Sequence, residues 1–238
     1  MSFPGVPTSE EVQDRIRKDG DTVILSFSCG NDSIAAWLAL RGKFKVLPYF
    51  MYPFPDLEFV ETSLRYYEEF FETRILRVPH PSLYRQLNNC VFTPPERVSV
   101  IERLDLPEFD YDELRDCVAD DFKVSRNTWS ASGVRASDSL MRRTHFKRHG
   151  PINHNRRIFY PVWDWTKDRL IAECQQSGVK MPADYQIFGR SFDGIDFRFL
   201  YPIKRHFPKD YARILEWFPL AELEIKRYEY AQANTQSS

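Results

Sequence analysis

The sequence has no Cys-x-x-Cys pair. Its four cysteines, Cys29, Cys90, Cys117 and Cys174, stand far apart. That spacing argues against a disulfide scaffold, a zinc site and a cysteine-ligated iron–sulfur cluster. Cys90, Cys117 and Cys174 read as small buried hydrophobes. No apolar run approaches the roughly 20 residues that span a bilayer. The start, MSFPGVPTSEEVQDR, lacks the basic-then-apolar order of a secretory leader, so a cytoplasmic protein without membrane contact is expected. Net charge is only −1, which excludes a bulk basic field that would recruit nucleic acid. There is no internal repeat. No Gly-Lys-Ser/Thr ending exists, which rules out a Walker A loop. The five histidines show no metal-ligand spacing. His145 and His149 are four apart but stand among Arg and Lys, a poor place for a cation.

What is present is a strand, a tight loop and a helix start in residues 22 to 41. Thr22 to Phe27 is a short β-rich run that reads as a buried parallel strand. Ser28-Cys29-Gly30-Asn31-Asp32-Ser33 is small, polar and turn-prone, and Ile34 to Leu40 has helical spacing. Gly30 is expected to let the backbone turn tightly and approach a ligand. The first N–H groups of a helix lack intrahelical partners and carry partial positive charge, so a phosphate fits there. Ser28 and Ser33 would add hydroxyl donors. Asp32 repels phosphate, and makes sense as a helix cap or with Mg²⁺ between it and the phosphates. A Ser/Asn/Asp-capped helix after an ordinary strand gives the same pattern, so both readings stand on this segment alone.

In chain order, Ser9 to Lys18 reads as an amphipathic helix. Further strands are expected at 43–50, 74–78, 128–134 and 158–162. Helices are expected at 57–71 with Asp56 as N-cap, at 81–87, 110–122 and 166–175 with Thr166 as cap, and at 210–218. The β-α-β-α-β order predicts a parallel sheet with right-handed crossovers. The expected fold is therefore α/β: a Rossmann-like (HUP-type) five-stranded parallel sheet with helices on both faces. Its divisions would be an N-terminal arm at 1–20, a nucleotide-binding domain at 21–176, an irregular appendage at 177–231 and a disordered tail at 232–238. Residues 135–157 differ sharply from the rest: Arg135, Arg142, Arg143, Lys147, Arg148, Arg156 and Arg157 face only Asp138.

The 28–33 segment resembles the PP-loop, Ser-Gly-Gly-x-Asp-Ser, of the adenine nucleotide α-hydrolase superfamily, with Cys29 where the second residue is usually Gly. Gly133-Val134-Arg135, then Asp138-Ser139 and Arg142-Arg143, resemble the Gly-x-Arg-x-x-Glu-Ser-x-x-Arg motif of phosphoadenylyl-sulfate (PAPS) reductases and their adenylyltransferase relatives. Tyr160-Pro161-Val162-Trp163-Asp164-Trp165-Thr166 resembles that family's Pro-Leu-x-Asp-Trp-Thr stretch. Phe54-Pro55-Asp56-Leu57 resembles, more weakly, its Phe-Pro-Glu-Thr helix start.

The resemblance implies a nucleotide site built from Ser26, Ser28, Cys29, Gly30, Asn31, Asp32, Ser33, Tyr52, Gly133, Arg135 and Arg143. Asp32, Arg135 and Arg142 are the implied catalytic groups. Arginine suits the role because its planar fork gives an oxyanion two parallel hydrogen bonds. Tyr52 would stack on the base. ATP or a PAPS-like nucleotide with Mg²⁺, held through Asp32, is the implied ligand, and the implied chemistry is attack on the α-phosphate with loss of pyrophosphate. The family's C-terminal Glu-Cys-Gly-x-His has no counterpart, since no cysteine follows Cys174. The reductive half is thus expected to be missing. Cys29 could react if the helix start lowers its pKa, but no resolving thiol is evident. Expected partners are a small-molecule nucleotide, a second copy of the chain and, through 135–157, nucleic acid or another polyanion. The rival readings are a strict PAPS reductase served by thioredoxin and a non-enzymatic partner in nucleic-acid modification. Compact chains without the redox tail resemble phage-encoded members.

Overall fold

A computed structural model describes residues 2–181 and 187–236. The chain falls into two compact units. The first comprises residues 1–51, 64–78 and 111–182; the second comprises 52–63, 79–110 and 183–238. The units are interleaved along the chain, where the sequence suggests consecutive blocks.

The first unit is built on a six-stranded sheet. Its strands are β1 (Thr22–Ser26), β2 (Lys45–Tyr52), β3 (Leu76–Pro79), β4 (Ser130–Ser132), β5 (Ile152–Asn153) and β6 (Ile158–Phe159), in the order β3-β2-β1-β4-β6-β5. β1 pairs in parallel with β2 and with β4, β4 pairs in parallel with β6, and β5 runs antiparallel to β6. The fold is α/β with a mostly parallel, Rossmann-like sheet. It has one strand more than expected. β5 is only two residues long and lies in the basic segment, too short to leave a period in the sequence.

Around the sheet lie helices α1 (Ser9–Asp19), α2 (Asn31–Leu40), the later turns of α3 (Glu58–Phe71), α6 (Tyr111–Asp121), α7 (Leu140–His149) and α8 (Lys167–Ser177). β1 and α2 form the centre. Val23, Ile24, Leu25, Ile34, Ala35 and Leu40 are buried, and Phe27 meets Trp37 and Tyr67 edge-on at 5.0 and 5.3 Å. Trp37 stacks on Phe71 with ring centroids 4.0 Å apart. α1 is tied to residues 161–164. Ser9 donates its N–H (3.1 Å) and hydroxyl to Asp164, and Trp163 Nε1 donates to the Pro7 carbonyl at 3.0 Å. The Trp-Asp-Trp stretch is therefore core structure.

The second unit contains the start of α3 with α4 (Pro81–Asn88), α5 (Pro95–Leu104), α9 (Phe197–His206), α10 (Pro208–Trp217) and α11 (Glu222–Gln236). Its core is aromatic and aliphatic: Phe54, Leu57, Phe59, Leu83, Phe199, Ile203, Ile214, Phe218 and Ile225. The sequence reads 178–206 as an irregular aromatic and charged region. The structure forms α9 through Pro202, with Asp196 as cap accepting from the Arg198 N–H at 2.9 Å and with Phe199, Leu200 and Ile203 buried. Burying that stripe outweighs the propensity cost of the proline. α11 runs to Gln236, so the stretch expected to be disordered is helical up to that residue; 237–238 lie outside the described residues. Among the described residues, no helix is long and apolar enough to cross a membrane.

Candidate functional site

β1 ends at Ser26 and α2 begins at Asn31. Between them Cys29 takes the left-handed conformation, with φ at +58°. Gly30 has φ −78° and ψ 157°, an ordinary extended geometry. The expectation that Gly30 makes the tight turn is corrected: the strained position is Cys29, where the PP-loop pattern has glycine. That conformation is easy for glycine and costly for other residues.

The loop is stapled by its own hydroxyls. Ser33 Oγ donates to the Gly30 carbonyl at 2.8 Å and accepts the Ser28 N–H at 3.2 Å. Ser28 Oγ donates to Ser33 Oγ at 3.3 Å and accepts the Gly30 N–H at 3.4 Å. The helix start itself has no side-chain cap. Asp32 is therefore not the cap. Asn31 Oδ1 is buried and makes no hydrogen bond.

Three strands on in sequence but adjacent to β1 in the sheet, β4 delivers Gly133 just past its end. A Cβ on Gly133 would lie 2.5 Å from the Asp32 carbonyl oxygen and 2.8 Å from the Ser33 nitrogen. Only glycine lets β4 pass that close to the first turn of α2. Together these segments wall a cleft of about 180 Å³ lined by Ser26, Ser28, Asp32, Ser33, Ser132, Gly133, Val134 and Arg142. It opens beyond the carboxyl ends of β1 and β4, where parallel sheets bind ligands.

A charge chain runs along one side. Arg135, 8 % exposed, donates from Nε to Asp32 Oδ1 at 2.7 Å and pairs through Nη2 with Asp138 at 2.9 Å. Its Nη1 donates to Ser137 Oγ at 3.1 Å and to the Trp165 carbonyl at 3.4 Å. Asp138 also accepts from Arg142 Nη1 at 2.7 Å. Burial raises the pKa of Asp32 above the ordinary carboxylate value, and Arg135 opposes this only in part.

The sequence aims Arg135 into the cleft. In the structure its guanidinium is turned inward and taken up by two carboxylates. It braces Asp32 and Asp138, and Asp138 in turn holds Arg142 at the cleft wall. Arg143 is exposed on α7 and does not line the cleft. Cys29 is 3 % exposed. Tyr52 falls in the second unit, packed against its aromatic cluster. Sequence reasoning left out Ser132 and Val134; the signal was their place on either side of Gly133 at the end of β4.

No family model and no curated protein matches the sequence. Three solved structures are similar to it in fold. One is the U34-tRNA thiolase NcsA from Methanococcus maripaludis with its [4Fe-4S] cluster, at TM-score 0.48 and 14 % identity, covering 90 % of this chain and 78 % of that one. Another is the phosphoadenylyl-sulfate (PAPS) reductase from Candida auris in a phosphate complex, at TM-score 0.49 and 13 % identity, covering 79 % and 88 %. The third is the NH3-dependent NAD synthetase from Campylobacter jejuni in complex with nitrate, at TM-score 0.41 and 13 % identity, covering 93 % of each chain.

Proposed function

We propose that the cleft binds the phosphates of ATP or a related adenylyl nucleotide, PAPS-like or APS-like, and that the chain acts at the α-phosphate. The observation that carries this reading is the uncapped start of α2, facing a small cleft of serines and one arginine. Such a helix start presents backbone N–H donors and partial positive charge to an anion. A volume of about 180 Å³ admits phosphate groups and leaves the nucleoside outside.

Each residue then has a task. The α2 N–H groups hold phosphate oxygens. Arg142, positioned by Asp138, neutralises charge that develops on departing pyrophosphate when a nucleophile attacks the α-phosphorus. Arg135 keeps Asp32 and Asp138 in place. Asp32 brings a carboxylate to the cleft wall. Among the described residues no group of three or more His, Cys, Asp or Glu could hold a metal by itself. A single carboxylate beside phosphates suits Mg²⁺, which keeps most of its waters. When bound there, Mg²⁺ would supply further charge neutralisation on the phosphates.

The reductive chemistry of PAPS reductases has no support in this chain. No cysteine follows Cys174, whose own thiol is buried and pushed up to about 11 by that burial. The test is titration of ATP, PAPS, AMP and adenosine with Mg²⁺ present, followed by assay of PAPS with reduced thioredoxin. ATP or PAPS should bind far more tightly than adenosine, and no sulfite should form. Equal affinity for adenosine and ATP would remove the phosphate site from the cleft. Stoichiometric sulfite would make the chain a reductase in the strict sense.

A further inference from the structure

The first unit holds a second concavity that the nucleotide reading does not use. It is a groove of about 440 Å³ lined by His145, His149, Gly150, Ile152, Asn153, His154, Asn155 and Tyr160. Helix α7 forms one wall and the β5–β6 hairpin the other. Phe146 fixes α7 against the core, buried against Tyr160 and Trp163 with ring centroids 5.1 and 5.5 Å away. That anchor turns Arg142, His145 and His149, at i, i+3 and i+7, onto one common face. Arg142 lines the nucleotide cleft, while His145 and His149 line the groove. The stripe therefore leads from one concavity to the other over about 10 Å of helix.

The chemistry of the groove is specific. His145 and His149 lie ring to ring at 5.1 Å, and His154 meets Trp129 edge-on at 5.7 Å. Rings and the two asparagine amides are groups that stack on bases and hydrogen-bond their edges. The segment that forms the groove carries charge of one sign. No Asp or Glu occurs from Ser139 to Trp163. Arg142 and Arg156 are paired, with Asp138 and Asp112. Arg143, Lys147 and Arg148 are exposed on α7 and, among the described residues, have no acidic partner. Arg148 is next to His149 on α7, and Arg143 and Lys147 lie farther round the helix; unpaired cations on the helix that carries the rings are the two halves of a site for a single nucleic-acid strand: phosphates on the cations, bases on the rings. A metal is not the fit, because the histidines stand in this positive field and no metal-holding cluster occurs among the described residues.

We propose that this groove binds a single-stranded segment of a polynucleotide, laid along α7 toward the nucleotide cleft. The inference stands on the groove's own residues and does not need the cleft to bind ATP. The test is fluorescence anisotropy of labelled single strands of about 12 nucleotides, in DNA and RNA forms, across a salt series. Anionic phospholipid vesicles serve as the competing polyanion. Binding of either strand that weakens with salt is expected. The double variant Lys147→Ala/Arg148→Ala should flatten the slope of log affinity against log salt by about 1.4. His149→Ala, an exposed change that spares the fold, should weaken binding by about 5- to 100-fold at every salt concentration, because it removes a stacking surface. A preference for RNA would point to 2′-hydroxyl contacts, and equal binding to phosphate and base contacts alone; both support the groove. Unchanged affinity in both variants, or binding to vesicles without binding to strands, would overturn it. ATP titration of the double variant separates the two sites. ATP binding without strand binding removes the groove and leaves the cleft; the reverse removes the cleft and leaves the groove.

Discussion

Two helix starts in this molecule follow two neighbouring strands and are treated in opposite ways. α3 begins at Glu58, and its first N–H groups are filled from within. Asp210, 4 % exposed, accepts from the Glu58 and Phe59 N–H groups at 2.7 and 3.1 Å. The expected cap, Asp56, instead takes a left-handed conformation, and its carbonyl accepts from Arg213 at 2.7 Å. α4 is also capped, by His80 accepting from the Ser82 N–H at 3.1 Å. α2 is given no such cap, and the one carboxylate in its first turn is held by Arg135. Helix starts seek an anion. Where the protein supplies its own carboxylate, the start is structural. Where no side chain caps the start and serines and an arginine line the gap beside it, the N–H groups are left open to solvent or to a ligand, which is the basis of the phosphate site proposed above.

The comparison breaks most readily at Gly133. Gly133→Ala places a methyl against the backbone of Asp32 and Ser33, atoms that cannot swing aside. Overpacking of that kind costs roughly 1–3 kcal/mol or more. Urea denaturation should show the loss, and ATP titration should show no measurable binding. Retention of both would mean that the close approach of β4 to α2 is dispensable.

Arg142→Ala tests the open start more gently. A charge-assisted hydrogen bond to phosphate is worth roughly 1.5–3 kcal/mol, so ATP affinity should drop by about 10- to 100-fold. Adenosine binding should not change, and Arg143→Ala should leave both ligands as they are. Calorimetry on the three proteins reads this directly. A uniform loss for ATP and adenosine would mean that Arg142 supports the fold and not the ligand.

Asp210→Ala tests the filled start. Removing a cap costs roughly 0.5–2 kcal/mol, read as a shift in the urea midpoint. Added phosphate should restore part of that stability in the variant and add less to the wild type's own. If phosphate does nothing for the variant, the α3 start is not an anion seat that the protein has occupied.

The smallest effect concerns pH. Asp32 ionises above the ordinary value of 3.8 because burial outweighs the pull of Arg135. The native state therefore holds the proton more tightly than the unfolded chain. This contribution is fully present below the unfolded value and is lost as pH rises through the native one. Asp32→Asn should flatten that part of the stability–pH curve. Identical curves for the two proteins would show that Asp32 titrates as it does in the unfolded chain.

Much of this was legible in the residues themselves. The β1–loop–α2 segment and the parallel sense of the sheet follow from short-range pattern, and the convergence of residues 28–33 with the segment after Gly133 was expected from the rule that parallel sheets bind ligands beyond their strands' carboxyl ends. Alternation, helical period and turn chemistry are local properties, and a local window contains them. The resemblance to the PP-loop rests on the same windows.

The roles within the site were not local. Whether Arg135 grips a ligand or braces the protein depends on Asp32 and Asp138 competing for its guanidinium in three dimensions, and the two carboxylates win. Gly133 matters because β4 lies against α2, which no window around residue 133 reveals. The cap of α3 comes from Asp210, 152 positions beyond Glu58. α9 forms through Pro202 because its apolar stripe has somewhere to be buried. The sequence by itself determined that a strand, a tight polar loop and a helix start follow one another in residues 22–41. Only tertiary structure decided which charged groups line the cleft and which hold each other, because a charge is satisfied by its nearest partner in space and not along the chain.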